Sequence, residues 1–287
     1  MTEISIDEAA VAAAWDRNAA QWANDVQAGF DLYRDLYTLP AFLSFIPGIA
    51  GQSVIDLGCG EGTNTRRFAE LGARMTGVDL SRRFIEEASR KESAKPLGIT
   101  YLNMSFASMP SLGDGRFDVA LSTMALMDSP DFPAAMREAY RILKPGGLLS
   151  FSVLHPCFIT PATTWVKDAD GTHLGLRVGR YFDRNPFVER WHFSKRPSTG
   201  PIMPFEVPRF PRTLSDYINA VSDAGFRVTR IDEPRPDPKV SEEHAWLARW
   251  HEHAPLVLFV EAAKDDLRAR AEDRRGSHGD PVDGQRS

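Results

Sequence analysis

From Ile6 to about Phe45 the apolar residues return at helical intervals, Val11, Trp15, Ala19, Trp22 and Val26, then Phe30, Tyr33, Leu36 and Tyr37. This spacing predicts two or three helices, an N-terminal helical cap over residues 1–48. The period then shortens. Residues 53–57 (SVIDL) form a short β-rich run that ends in glycines, as a buried parallel strand does where it meets a ligand-binding loop. Helix-forming residues 63–71 follow, Gly72 caps them, and 74–78 (RMTGV) predict a second strand ending at Asp79. The next helix runs from Ser81, a suitable N-cap, to Arg90, and further strands are expected at 99–104 and 117–122. Residues 133–143 predict an amphipathic helix stopped by Lys144-Pro-Gly-Gly147, before a fifth strand at 148–154. Strands alternating so regularly with helices imply a parallel sheet covered on both faces.

Between His155 and Arg212 the periodicity fails while Pro, Gly and aromatic residues accumulate. A structureless loop of that length inside a domain is uncommon, so the segment is expected to be a small subdomain or a lid over a ligand. Regular pattern returns at Thr213–Gly225, a helix capped by Thr213 or Arg212, followed by a strand at 226–231. A helix at 241–253 and an apolar strand at 256–262 complete the domain, and the short link between these last strands predicts an antiparallel pair. Residues 265–287 are charged and nearly devoid of large apolar side chains, so a disordered tail is expected there.

Composition narrows the partners. A net charge of -5 supplies no global positive field for a phosphate backbone, which argues against nucleic acid. The two cysteines, Cys59 and Cys157, suit reduced thiols in a cytoplasm. The acidic first residues do not resemble a secretory signal, and no stretch approaches the roughly 20 apolar residues of a membrane span.

The chemistry concentrates at residues 54–62 (VIDLGCGEG) and 77–80 (GVDL). Glycines at 58, 60 and 62 let the backbone turn tightly and approach a ligand, and the following helix offers unpaired N–H groups. Asp79, ending the second strand, is placed to accept hydrogen bonds from a ribose diol. Nicotinamide sites also use glycine loops, but their spacing is G-x-G-x-x-G, whereas here it is G-x-G-x-G and an acid, Asp56, opens the motif. A carboxylate there would repel a pyrophosphate and suits the ammonium and sulfonium of S-adenosylmethionine.

These motifs, with RFDVALS at 116–122 and RILKPGGLL at 141–149, resemble in content and order the class I S-adenosylmethionine-dependent methyltransferases, in particular the small-molecule, ubiquinone-type branch. The resemblance is close over about residues 50–155. It implies a Rossmann-like α/β fold: a seven-stranded sheet of order 3-2-1-4-5-7-6, last strand antiparallel, helices on both faces. The methyltransferase domain would span 49–264 and include a substrate lid at 156–212, inserted after strand five. By the same likeness Asp56, Gly58, Cys59, Gly60 and Gly62 line the amino-acid part of the cofactor, Asp79 holds the ribose, and Leu80 lies against adenine. Ser105 and Phe106 stand at the adenine where the family usually carries an acid and a small residue, and Ser122 and Thr123 pass beside the methyl donor.

Methyl transfer from a sulfonium is an in-line displacement, so a base is needed only where the acceptor must lose a proton. His155, directly after strand five at the sheet's carboxyl edge, is the candidate base. Tyr33, Arg34, Phe158, Tyr181, Trp191 and His192 are candidates for contact with the acceptor. Residues 122–125 (STMA) lack the Asn/Asp-Pro-Pro-aromatic motif of exocyclic-amine methylases, and Asp128 and Asp131 alone make no metal set, so no metal is expected. The reading is therefore a methyltransferase, monomer or homodimer, acting on an O, N, S or C atom of a small molecule and releasing S-adenosylhomocysteine. A catalytically inactive cofactor-binding scaffold and a nicotinamide oxidoreductase are the alternatives.

Overall fold

A computed structural model describes residues 6–193, 196 and 203–265, so the tail expected from 265 lies, beyond Asp265 itself, outside the described residues. The chain opens with helix α1 (Glu8–Gln27), a π-helical turn (Arg34–Thr38) and α2 (Leu39–Phe45). Asp7 caps α1, its carboxylate accepting from the Ala10 N–H at 2.9 Å.

The central layer then forms from β1 (Ser53–Leu57), α3 (Thr63–Glu70), β2 (Arg74–Asp79), α4 (Arg82–Ala94), β3 (Thr100–Asn103), β4 (Phe117–Thr123), α5 (Phe132–Ile142) and β5 (Leu143–Leu154). Two hairpins follow, β6 (Thr164–Lys167) with β7 (His173–Arg177), and β8 (Phe187–Trp191) with β9 (Phe205–Arg209). The chain returns through α6 (Leu214–Asp223), β10 (Phe226–Asp232), α7 (Pro238–Glu243), α8 (Ala245–Glu252) and β11 (Val257–Lys264).

The main sheet has seven strands in the order β10-β11-β5-β4-β1-β2-β3. β11 alone runs against its neighbours, antiparallel to both β5 and β10. The expected order and reversed last strand are thus borne out. Alternation along the strands explains the layering. Val54, Val119, Leu121, Val257 and Phe259 pack with Phe42, Phe45, Phe68 and Leu247 on one face. Ile55, Ala120, Leu258 and Val260 pack with Phe132, Met136, Tyr217 and Val221 on the other. Each large side chain buried this way contributes about 1.5–3 kcal/mol.

Two local expectations differ from the structure. Lys144-Pro-Gly-Gly147 was expected between helix and strand, but α5 ends at Ile142 and β5 begins at Leu143, with the register against β4 shifting between Phe117 and Val119. The single helix expected at 241–253 is two, α7 and α8, because His244 between them leaves helical geometry at φ -127, ψ 80.

Candidate active site

A cavity of about 700 Å³ opens at the carboxyl ends of the central strands. Gly58, Gly60, Asp79, Leu80, Thr123 and Ser152 contribute to its floor. Above lie Trp15 and Trp22 of α1, the 30–34 segment, and Glu189 and Trp191 of β8. The roof is built from aromatic contacts: Trp22 packs 5.7 Å from Trp191 and 5.3 Å from Phe205, centroid to centroid. Polar bonds fix α1 over the sheet. Asp16 accepts from Ser81 Oγ at 2.6 Å, Asn18 Nδ2 donates to the Glu206 carbonyl at 3.1 Å, and Ser105 Oγ donates to Glu8 at 2.6 Å.

The glycine loop is sterically determined. At Gly58, φ +80, an added Cβ would lie 2.2 Å from the Ala125 Cβ, and at Gly62, φ +84, 2.5 Å from the Tyr101 hydroxyl. Gly60 differs: at φ +54 its Cβ would meet nothing within 4 Å, and the residue lines the cavity. Asp79 ties the loop down, accepting from Gly60 N at 2.9 Å and Ser81 N at 2.8 Å. Met124, just past β4, lies in the left-handed region at φ +56 on the cavity wall, an uncommon conformation for a residue other than glycine.

Carboxylates crowd this end. Burial raises Asp79 to about 6, and the two backbone N–H bonds only partly offset it. Burial lifts Asp56 to about 7, with the Thr65 hydrogen bond opposing and the Asp79 and Glu61 charges adding. Asp31 reaches about 6, again through burial, against the nearby Arg34. Glu61, almost fully buried, accepts from Trp22 Nε1 at 3.1 Å.

Of the residues singled out from sequence, Gly58, Cys59, Gly60, Asp79, Leu80, Ser105, Phe106 and Thr123 line the cavity, as do Tyr33, Arg34, Trp191 and His192. Asp56, Gly62 and Ser122 do not. Asp56 shares the face of Val54 and turns toward α3, where Thr65 Oγ1 donates to it at 2.6 Å. Ser122 Oγ donates instead to the Leu57 carbonyl at 2.7 Å.

His155, the candidate base, lies apart from the cavity lining. Its side chain is 2% exposed and absent from the cavity wall. Nδ1 accepts from Cys157 N at 3.2 Å, which leaves the hydrogen on Nε2, facing Glu233 Oε1 at 2.6 Å. Burial lowers its pKa against the opposing Glu233 carboxylate, and both ring nitrogens are engaged at the turn after β5. Phe158 packs on that ring at 4.7 Å, and the Tyr181 hydroxyl accepts from Leu214 N at 3.1 Å, so neither reaches the cavity.

Sequence reasoning missed several wall residues. Trp15 and Trp22 register there only as helical periodicity, and nothing local marks the buried pair of Arg209 with Asp128, 2.6 Å apart, or Arg249 of α8.

Known proteins resemble this chain in sequence and in fold. A family model described as a methyltransferase domain matches residues 55–151. The malonyl-[acyl-carrier protein] O-methyltransferase of Enterobacter lignolyticus is 32% identical over 149 residues, 52% of this chain and 55% of that protein. A ubiquinone biosynthesis O-methyltransferase of Ralstonia nicotianae is 31% identical over 107 residues, 37% of this chain and 45% of that one. The chain thus spans about half the length of these curated relatives. The crystal structure of an S-adenosylmethionine-dependent methyltransferase from Mesorhizobium loti superposes with a TM-score of 0.63 at 28% identity, covering 78% of this chain and 96% of that one. The glycine loop and the following acid lie within the matched residues, so the chain carries a methyltransferase domain over 55–151, and the sheet with its reversed strand is similar in fold to the S-adenosylmethionine-dependent methyltransferase from Mesorhizobium loti.

Proposed function

We propose that this enzyme moves the methyl group of S-adenosylmethionine onto a small-molecule acceptor by in-line displacement and releases S-adenosylhomocysteine. The observation that carries the reading is the set of mutually repelling carboxylates around the glycine loop, buried Asp56 and Glu61 with half-buried Asp31 and Asp79. Charges so placed are unfavourable on their own and are relieved by a cationic ligand. Asn64 Oδ1, buried on a residue that lines the cavity, also has no hydrogen-bond partner among the described residues. The donor's ammonium and sulfonium fit that surplus.

In this reading Asp79 accepts from the ribose hydroxyls with lone pairs its two backbone bonds leave over. Leu80, Ser105 and Phe106 enclose the adenine, and Gly58, Cys59 and Gly60 follow the amino-acid chain. Thr123 sits beside the reacting methyl. Asp56, Gly62 and Ser122 act from behind, shaping the loop rather than touching the ligand. When bound, the donor supplies an electrophilic methyl on a good leaving group. The protein supplies alignment under a roof that excludes water.

In the same reading Tyr33, Arg34, Trp191 and His192, which line the cavity with Arg249 and Trp250, face the acceptor. Both named relatives are O-methyltransferases, which supports oxygen as the accepting atom. Unpaired Cys59 and Cys157 support a reducing, cytoplasmic setting. Among the described residues no helix is long and apolar enough to cross a membrane.

Thermal melting with S-adenosylhomocysteine or NAD tests the donor, and only the former is expected to raise the midpoint. Release of S-adenosylhomocysteine across an acceptor panel tests the reaction. His155→Ala should keep turnover within about threefold while lowering stability by about 1–3 kcal/mol. Loss of turnover in a folded His155→Ala protein would restore the histidine as base.

A further inference from the structure

Among the described residues three arginines line the cavity, Arg34, Arg209 and Arg249. Arg34 is held by Asp35 at 2.7 Å, and Arg209 by Asp128 at 2.6 Å and Glu189 at 2.7 Å. Arg249 has no carboxylate within ion-pair distance among the described residues. Its guanidinium carbon lies 5.0 Å from the centre of the Trp165 ring and 5.5 Å from that of Trp250, and Nη2 donates to the Tyr33 hydroxyl at 2.9 Å. Nε is buried with no partner among the described residues.

The surroundings make the surplus larger. Trp250 Nε1 also donates to the Tyr33 oxygen, at 3.3 Å, so that oxygen accepts twice and its own O–H has no acceptor among the described residues. Arg249, Trp250 and Tyr33 thus form a group of donors whose only internal acceptor is one phenolic oxygen. All three line the cavity, and Leu39, Ile159 and Leu256 beside them are apolar. A guanidinium with unused donors and a phenol with an unused hydrogen, set in an apolar wall, match a carboxylate on an apolar body.

We propose that the methyl acceptor is such a carboxylic acid, its carboxylate held by Arg249 and the Tyr33 hydroxyl while the body of the molecule lies along the apolar wall toward Thr123. Arg249 and Tyr33 then set acceptor specificity. The proposal rests on the methyl-transfer reading above, and the two fail separately.

The test is titration calorimetry of the protein saturated with S-adenosylhomocysteine, using benzoate, phenylacetate and indole-3-acetate, each against its primary amide. At least one acid is expected to bind about tenfold or more tightly than its amide, the usual worth of a charge-assisted hydrogen bond. Arg249→Gln should abolish that preference, Arg249→Lys should retain part of it, and Tyr33→Phe should reduce it several-fold. S-adenosylhomocysteine affinity should stay at the wild-type level in all three. Acids and amides binding alike, no acid binding at millimolar concentration, or an acid preference that survives in Arg249→Gln would each overturn the proposal. Should Arg249→Gln fail to fold, Tyr33→Phe and the wild-type acid-to-amide ratio decide. Failure of S-adenosylhomocysteine to bind the wild type would instead sink the donor assignment, and this proposal with it.

Discussion

The two ends of the cavity are opposite in charge and in kind. At the glycine end, carboxylates outnumber the cations near them: Asp56 and Asp79 have no ion-pair partner among the described residues, and Lys91 approaches Glu61 only to 3.9 Å. At the far end the Arg249 guanidinium has no carboxylate partner among the described residues. Both arrangements cost stability in the protein alone, since buried polar groups are normally paired. The difference teaches where each ligand belongs. A positively charged donor completes the first end, and a negatively charged acceptor completes the second.

The largest effect expected within the glycine end comes from Gly58→Ala, which would break the loop itself. A left-handed φ and a Cβ driven to 2.2 Å from Ala125 together should destabilise the fold by about 3 kcal/mol, read from urea unfolding. Gly60→Ala sharpens the contrast: with open space around its Cβ it should cost about 1 kcal/mol of stability yet weaken S-adenosylhomocysteine binding more than tenfold. A Gly60→Ala protein with wild-type affinity would remove the ligand from that point of the cavity.

Next in size is Thr65→Val. It withdraws the hydroxyl that donates to Asp56 at 2.6 Å and leaves a buried carboxyl without its partner. A loss of about 1–3 kcal/mol is expected, with the far end unaffected. Unchanged unfolding midpoints would show that Asp56 is already satisfied by another route.

The smallest effect is on pH dependence, and it distinguishes the ends without mutation. Asp56, Asp79 and Asp31 have folded pKa values of about 7, 6 and 6, raised above the ordinary 3.8. The folded protein therefore binds more protons than the unfolded chain between 3.8 and about 7. Stability from these groups is present below 3.8 and lost as pH rises through their folded pKa values. A cationic ligand favours the ionised carboxylates, so its binding releases protons. Affinity for S-adenosylmethionine should rise roughly tenfold between about pH 5.5 and about pH 7.5, and affinity for the uncharged-sulfur product should rise less. A flat or falling profile would mean that the donor does not face these acids.

Sequence patterning reached the sheet but only part of the site. Buried parallel strands such as Val54–Leu57 and the glycine turn leave local signals, because burial on both faces and a positive φ restrict which residues fit. Side-chain direction is different. His155 follows β5 as expected, yet Glu233, brought alongside by β10, draws its ring out of the cavity. Asp56 likewise belongs to the motif but, by strand alternation, faces Thr65 rather than the cavity. Arg249, Tyr33 and Trp250 meet only because α8 packs on the segment after α1, a contact between positions more than 200 residues apart that no local pattern encodes.

The most direct measurement is titration calorimetry of S-adenosylmethionine into the wild type and into Asp79→Ala at neutral pH. Two charge-assisted hydrogen bonds to the ribose should be lost together with the Gly60 and Ser81 N–H bonds that tie down the loop, so one site is expected in the wild type and binding at least about 100-fold weaker in the variant, with the sheet still folded by circular dichroism. Equal affinities for the two proteins, or no binding by either, would contradict the assignment of the acidic end to the methyl donor.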